Sequence, residues 1–558
     1  MKRIVMALTD TVLRKYAEQK GIASGTRGEI APEIDIPKTA QCGDLSVNSA
    51  FKLSRVCKKA PLAIATELKA LYEAAIAADP ACSAVIEKVE VAPPGFINFF
   101  FSLAMGNEIL SRIRRESERY GATDHGHGEK VLIEFVSANP TGPLTIAHGR
   151  QACLGDSLAA IMRTCGYAVT KEFYLNDGGN QINILGRSVY ARYRELCGQA
   201  VAFPEDGYQG DYIIDIAQKI KDENGDAFVD KIDDAETLQF FSRFSAGLIL
   251  EGIKTDLAAT TVFFDQYYPE SSLYAEKIAD VLAVLKKCGY TYEQEGALWF
   301  KSTDLGDEKD RVLIKSDGSY TYLVPDIAYH RDKFERGFTT LINLLGPDHH
   351  GYIARLKASV KALGYDPDHL EVIIVQLTTL YRNGEPFKMS TRKGTFISFR
   401  ELIDEVGADA ARLFFLLKLT DSQLAFDLEL AKEKSQDNPV YYLQYAYARI
   451  ASILRLADRP LPETVDATVL VTTEEQYLIK LLAEYPYVLI TTAEQREPYR
   501  LVDYVRSVAA AFHKFYSVCR VIGDDEALSG ARLCLVDCVR TVLKNAMGLL
   551  GVRSPERM

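Results

Sequence analysis

The order strand–helix–strand between residues 131 and 177 narrows the fold more than any other feature of this chain. The apolar run VLIEFVS (131–137) leads into a loop broken by Pro and Gly. RQACLGDSLAAIMRTCG (150–166) follows with apolar residues at helical spacing, and AVTKEFYLND (168–177) returns to strand-like composition. Strands joined through a helix lie parallel, because an antiparallel pair needs only a short turn. In such sheets the functional residues gather beyond the carboxyl ends of the strands. Later strand candidates are TTLINLLG (339–346) and LEVIIVQLTTL (370–380). The stretch between the early and late strands, including YIIDIAQKIKDENG and YAEKIADVLAVLKKCGY, reads as a long helical insertion between two halves of the sheet.

The flanks differ in character. Residues 1–120 combine helical stretches such as LAIATELKALYEAAIAA with the strand-like VEVAPPGFINFFFS, whose Pro-Pro-Gly marks a turn, so an α+β module is expected. ESERYGATDHGHGEK (116–130) reads as a linker, and its His125 and His127 as loop residues rather than a metal pair. Beyond residue 416 strand signals nearly vanish and three long segments show helical spacing. The expected architecture is therefore multidomain α/β. It has an N-terminal α+β domain (1–120), a parallel-sheet α/β domain with an insertion (121–415) and an all-α bundle (416–558). At 558 residues the chain exceeds a single core. Hydrophobic residues make up 47% and charged residues 25%, ordinary for a globular protein, and no apolar run approaches the roughly 18 residues that would suggest a membrane span. The first residues, MKRIVMALTDTVLRKY, read as an amphipathic helix rather than a signal peptide. Ten scattered cysteines without a CxxC pair suit reduced thiols in a cytoplasmic protein. A net charge of -11 gives no global attraction to nucleic acid but leaves room for a local basic groove.

Neither a GxGxxG after the first strand nor a GxxxxGK[ST] is present, so the usual phosphate loops are unsupported. ANPTGPLTIAHGR (138–150) offers another route. Pro140, Gly142 and Pro143 constrain the loop, and His148 and Gly149 fall in the first helical turn, where an imidazole and free N–H groups meet phosphate oxygens. FKMSTRKGTF (387–396) sets Lys388, Arg392 and Lys393 in a short loop that suits a polyphosphate. LGPDHHGYIARLKA places Asp348, His349 and His350 after a strand; adjacent side chains rarely converge on one metal, so no metal site is assigned. Tyr322 and Asp326, four apart, share one side of a helical turn and suit a flat cation such as a guanidinium. On residues alone each motif keeps an ordinary structural reading: a helix-start histidine, a solvated basic turn, a packed tyrosine beside a capping aspartate. Tyr441, Tyr442, Tyr445 and Tyr447 read equally as a partner-facing surface or a packing stripe.

Taken together, EFVSANPTGPLTIAHGR, FYLNDGGNQI, LVPDIAYHRDKF, LGPDHHGYIARLKA, FKMSTRKGT, VGADAARLFFLL and DNPVYYLQYAYARI resemble the arginyl-tRNA synthetases, class I aminoacyl-tRNA synthetases, over essentially the whole chain. The resemblance implies a two-step reaction. Arginine and ATP, the latter with Mg2+, give arginyl-adenylate and pyrophosphate; the arginyl group then passes to the terminal ribose of tRNA(Arg). It implies a Rossmann-type catalytic domain, an N-terminal domain at the outer corner of tRNA, a C-terminal bundle that reads the anticodon, and a monomer. It assigns Pro140, Gly142, Thr145, Ala147, His148 and Gly149, with Lys388, Met389 and Ser390, to ATP. His148, Lys388 and Arg392 become the catalytic set, and Glu134, Asn139, Tyr322, Asp326 and Asp348 bind arginine or the adjoining ribose. Three positions depart from the family signatures. Thr145 replaces a histidine, Ala147 a glycine and Thr391 the second lysine, for which Lys393 or Arg150 could substitute. These departures keep a second reading open, a tRNA-binding or regulatory paralogue with weakened ATP chemistry. A zinc enzyme using His148, His349 and His350 is a further rival.

Overall fold

The computed structural model describes residues 1–22, 34–35, 37, 43–231, 234–274, 276–387 and 397–558. Its centre is a five-stranded sheet in which every neighbouring pair is parallel. In space the strands run Leu370–Ile374, Thr340–Leu345, Lys130–Glu134, Ala168–Leu175, Gln266–Pro269. Val131, Leu132 and Ile133 are fully buried, so this strand is apolar without alternation, as befits one covered on both faces. The chain moves outward from it to 168–175 and 266–269, then crosses back to 340–345 on its other side. The reversal leaves a crevice beyond the carboxyl ends of Lys130–Glu134 and Thr340–Leu345, the switch point of an open α/β sheet.

The N-terminal part is α+β. Ile34–Asp35, Leu45–Val47, Phe96–Phe101 and Ile86–Ala92 form an antiparallel sheet, against which helix Pro61–Ala78 packs. Helices Pro439–Ala457, Thr473–Gln495, Tyr499–Val518 and Glu526–Leu549 form the C-terminal bundle. Within it Tyr447 is core, whereas Tyr441, Tyr442 and Tyr445 are half-buried, with Tyr441 stacked on Tyr445 and Tyr442 against His513.

Three expectations need correction. The insertion is helical over Gly179–Leu196, Asp211–Asn224, Ala235–Ala259 and Lys277–Lys287, but not throughout. Between and after these helices come the sheet strand Gln266–Pro269 and an antiparallel sheet of Thr291–Gln294, Ala297–Phe300 and Arg311–Ile314, strands of four residues each, too short to show a period. The run 370–380 is two strands: Thr378–Arg382 leaves the central sheet and pairs in parallel with Leu424–Asp427. That pairing crosses the expected break at 416, so the α/β part runs on past it. Finally, the 116–130 segment is docked rather than free. The buried Tyr120 donates to the Leu482 carbonyl at 2.8 Å, and His125 meets Glu494 at 3.0 Å.

Candidate active site

At the end of the central strand the backbone makes an uncommon turn. Val136 and Ser137 have φ of 67° and 41°, the left-handed region that a β-branched residue avoids. Such strain costs roughly 1–3 kcal/mol per residue and persists where surrounding bonds impose it. Here Ser137 Oγ donates to Glu134 Oε1 and accepts the Tyr174 N–H, both at 3.1 Å. Further along, Tyr212 donates to the Thr141 carbonyl at 2.7 Å, beside Gly142, and Asn139 Nδ2 donates to Gln181 Oε1 at 2.6 Å. Pro140 is buried in this loop.

Helix Ile146–Thr164 starts at Thr145, whose hydroxyl accepts the His148 N–H in a capping box. His148 replies through its ring, and Nδ1 accepts the Thr145 N–H at 3.2 Å. A backbone N–H can only donate, so the neutral ring carries its proton on Nε2. Burial lowers the His148 pKa to about 4. The result is an uncharged imidazole with a defined donor, beside Ala147, on the wall of the crevice. Thr145 is thus the helix cap and Gly149 lies beneath Phe399; neither lines the crevice. A Cβ on Gly149 would sit 2.4 Å from the Phe399 ring. Gly149→Ala is therefore expected to destabilise the fold by about 1–3 kcal/mol, as overpacking does. Thermal unfolding checks this; an unchanged midpoint would show that Phe399 yields freely.

The crevice encloses about 910 Å3. Its deep end is acidic. Asp326 is half-buried on helix Leu323–Glu335, among the crevice-lining residues, and accepts a hydrogen bond from Tyr352. Glu134 and Glu270 stand beside it, 7% and 9% exposed, with Tyr174 and Tyr329 as aromatic wall. One buried cation, Lys333, reaches Glu134 Oε2 at 2.5 Å. Burial pushes the Asp326 carboxyl up to about 7; Glu134 and Glu270 push the same way, against the Tyr352 hydroxyl and Lys333. Tyr322 stands at the rim, 76% exposed, and Asp348, on the short turn Pro347–Tyr352, also lines the crevice. A pocket with excess carboxylate, aromatic walls and a histidine donor at its mouth can hold a planar cation at one end and an anion at the other.

Arg150 has a different place from the one its charge suggests. It is fully buried, and its guanidinium donates to the carbonyls of Gln376, Ser422 and Leu419 at 2.7, 2.9 and 2.9 Å. It pins the end of strand Leu370–Ile374 to the turn before Leu424–Asp427 and does not stand in for a missing phosphate lysine. Lys388, Met389, Ser390, Thr391, Arg392 and Lys393 lie outside the described residues. Among the described residues no three His, Cys, Asp or Glu side chains come together to hold a metal ion. Sequence reasoning missed Glu270, Tyr352 and Lys333. Lys333 follows Asp326 by seven positions, two helical turns on one face, and that spacing was the available signal.

Three family models match the chain in succession: arginyl tRNA synthetase N terminal domain over residues 7–101, tRNA synthetases class I (R), catalytic domain over 110–421, and DALR anticodon binding domain over 443–558. The chain belongs to the arginyl-tRNA synthetases. An arginyl-tRNA synthetase consumes ATP to join arginine to tRNA. The arginine–tRNA ligase of Syntrophotalea carbinolica is 47% identical over 564 residues, covering 100% of both chains. That of Geobacillus thermodenitrificans is 46% identical over 563 residues with the same coverage. Thermus thermophilus arginyl-tRNA synthetase superposes over 100% of both chains with a TM-score of 0.78; at 21% identity the likeness is one of fold. The described crevice falls within the matched catalytic domain.

Proposed function

We propose that the crevice at the switch point is where this synthetase makes arginyl-adenylate, with arginine's guanidinium seated against Asp326 and Glu134. The observation that carries the reading is the cluster of Asp326, Glu134 and Glu270 in the crevice, with Lys333 as the cation behind them. Two parallel N–H groups of a guanidinium fit a carboxylate, and Tyr322 covers the stem from the rim. Asn139 holds the amino-acid backbone end, and Asp348 lies toward the ribose. One carboxylate oxygen of arginine attacks the α-phosphorus of ATP; the bond to the bridging oxygen breaks and pyrophosphate leaves. His148 Nε2–H donates to the phosphate oxygens that gain charge, in front of the first helical turn at Ala147. Pro140, Gly142, Thr145 and Gly149 shape and anchor that loop. Lys388, Met389, Ser390 and Arg392 supply the second phosphate-binding segment. A hydroxyl of the terminal tRNA ribose then attacks the arginyl carbonyl, and AMP leaves. Mg2+ enters with ATP as part of the substrate.

The same reading makes 1–120 the part that meets the outer corner of tRNA(Arg), 121–415 with its continuation the catalytic part, and the bundle after 416 the anticodon reader. It makes the enzyme a cytoplasmic monomer. Light scattering tests the monomer.

The acidic pocket predicts a pH dependence. Asp326 near 7 is protonated below that pH, and a bound guanidinium favours its ionised form. Arginine binding must then expel a proton at low pH. Affinity should rise with pH up to about 7 and fall about tenfold per unit below it. Calorimetry in buffers of different ionisation heat reads both the affinity and the released proton. Affinity that stays flat, without proton release, would show that the guanidinium does not reach Asp326.

A further inference from the structure

Lys333 sits behind the acidic end of the pocket, bonded to Glu134. It is fully buried, its Nζ lies 2.5 Å from Glu134 Oε2 and 3.2 Å from Asn343 Oδ1, and it stands 4.1 Å over the Tyr329 ring. Asn343 turns its Nδ2 to His330 Nε2 at 2.9 Å. Because that nitrogen accepts, the neutral His330 carries its proton on Nδ1 and donates it to the Asp326 carbonyl at 2.8 Å. A continuous hydrogen-bonded circuit therefore runs from Glu134 through Lys333, Asn343 and His330 to the backbone of Asp326. On the other side Glu134 Oε1 accepts from Ser137, in the strained turn at the strand end. Both oxygens of Glu134 are thus oriented before any substrate arrives.

We infer that Lys333 is a positioning residue for arginine recognition: it fixes the Glu134 carboxylate and, through Asn343 and His330, sets its distance from Asp326. The inference rests on the reading that Glu134 meets the guanidinium. Lys333 itself touches no substrate; it is buried behind Glu134. A planar fork must find acceptors at set places, and misplacing one by an ångström forfeits the fit. A flexible unpaired carboxylate would still attract a cation but would lose the preference for a forked one.

The test is a double-mutant cycle on the full-length enzyme, with aminoacylation followed against arginine and against ATP. Lys333→Met is expected to raise the KM for arginine about 100-fold, with the KM for ATP and the rate at saturating arginine little changed. In the Glu134→Gln background the same substitution should add little, because the group it positions is gone. Lys333→Gln keeps a donor to Glu134 without the charge and should fall between; it decides the matter if the Met variant does not fold. Equal effects of Lys333→Met with and without the Glu134 carboxylate would overturn the inference, since the lysine would then be acting on the fold at large. An unchanged arginine KM in folded Lys333→Met or Lys333→Gln would overturn it too, while leaving Glu134 in place. If Glu134→Gln alone leaves the arginine KM unchanged, the contact itself is wrong and the inference falls with it.

Discussion

Asp326→Ala is expected to raise the arginine KM by an amount corresponding to roughly 2–5 kcal/mol while leaving ATP binding near the parental level. The carboxyl is half-buried and oriented by the Tyr352 hydroxyl, and Glu134, itself held by Lys333 and Ser137, supplies only the other part of the seat for the guanidinium. Removing Asp326 leaves guanidinium donors without the carboxylate that matches their fork. Asp326→Asn should do nearly as badly. The amide keeps the volume but offers one acceptor and a misplaced donor, and removes the charge that a cation needs. Lysine should stay a poor substrate for the parent enzyme, because a point-like ammonium cannot make the forked pair. Steady-state kinetics over arginine and ATP separates the two affinities. A D326A enzyme with parental arginine dependence would remove this residue from the pocket.

How much of this was readable from residues alone depends on burial. The central strand announces itself because both of its faces are covered, which forces an unbroken apolar run at Val131–Ile133. His148 and Asp326 were readable because each belongs to a long, distinctive stretch. Strand Gln266–Pro269 was not, since QYYP is too short to show alternation. Lys333 hid in the run HRDKFER, which looks like a solvated helix face until the packing on the sheet shows that it is buried. Arg150 misled for the same reason. A cation beside a phosphate motif suggests a phosphate partner, yet this guanidinium is enclosed and spent on backbone carbonyls. Thr145 looked like a lost phosphate contact. In the structure its hydroxyl caps the helix and its N–H sets the His148 tautomer, a role no residue count reveals.

His148→Ala is expected to slow adenylate formation by about a hundred- to thousand-fold, equivalent to about 2.7–4 kcal/mol, the cost of deleting one oriented donor to a developing anion. The Nε2–H is oriented in advance by the hydrogen bond that Nδ1 accepts from the Thr145 N–H, so no reorganisation is needed when pyrophosphate begins to leave. Bound ATP gains less from this donor than the transition state does, and ATP affinity should change little. Transfer of arginine from supplied adenylate to tRNA should suffer much less, because its phosphoryl step is complete. Single-turnover quench measurements of each step distinguish these outcomes. Parental adenylate formation by the H148A enzyme would reduce the histidine to a helix-start residue.

The most direct test of the account is arginine-dependent exchange of label between pyrophosphate and ATP in the purified enzyme, run with and without tRNA(Arg). The account predicts exchange that saturates with arginine when tRNA is present, that lysine does not support, and that the D326A and H148A enzymes lose in different ways, the first through arginine affinity and the second through rate. A folded protein that binds tRNA but neither exchanges label nor charges tRNA with arginine would contradict it.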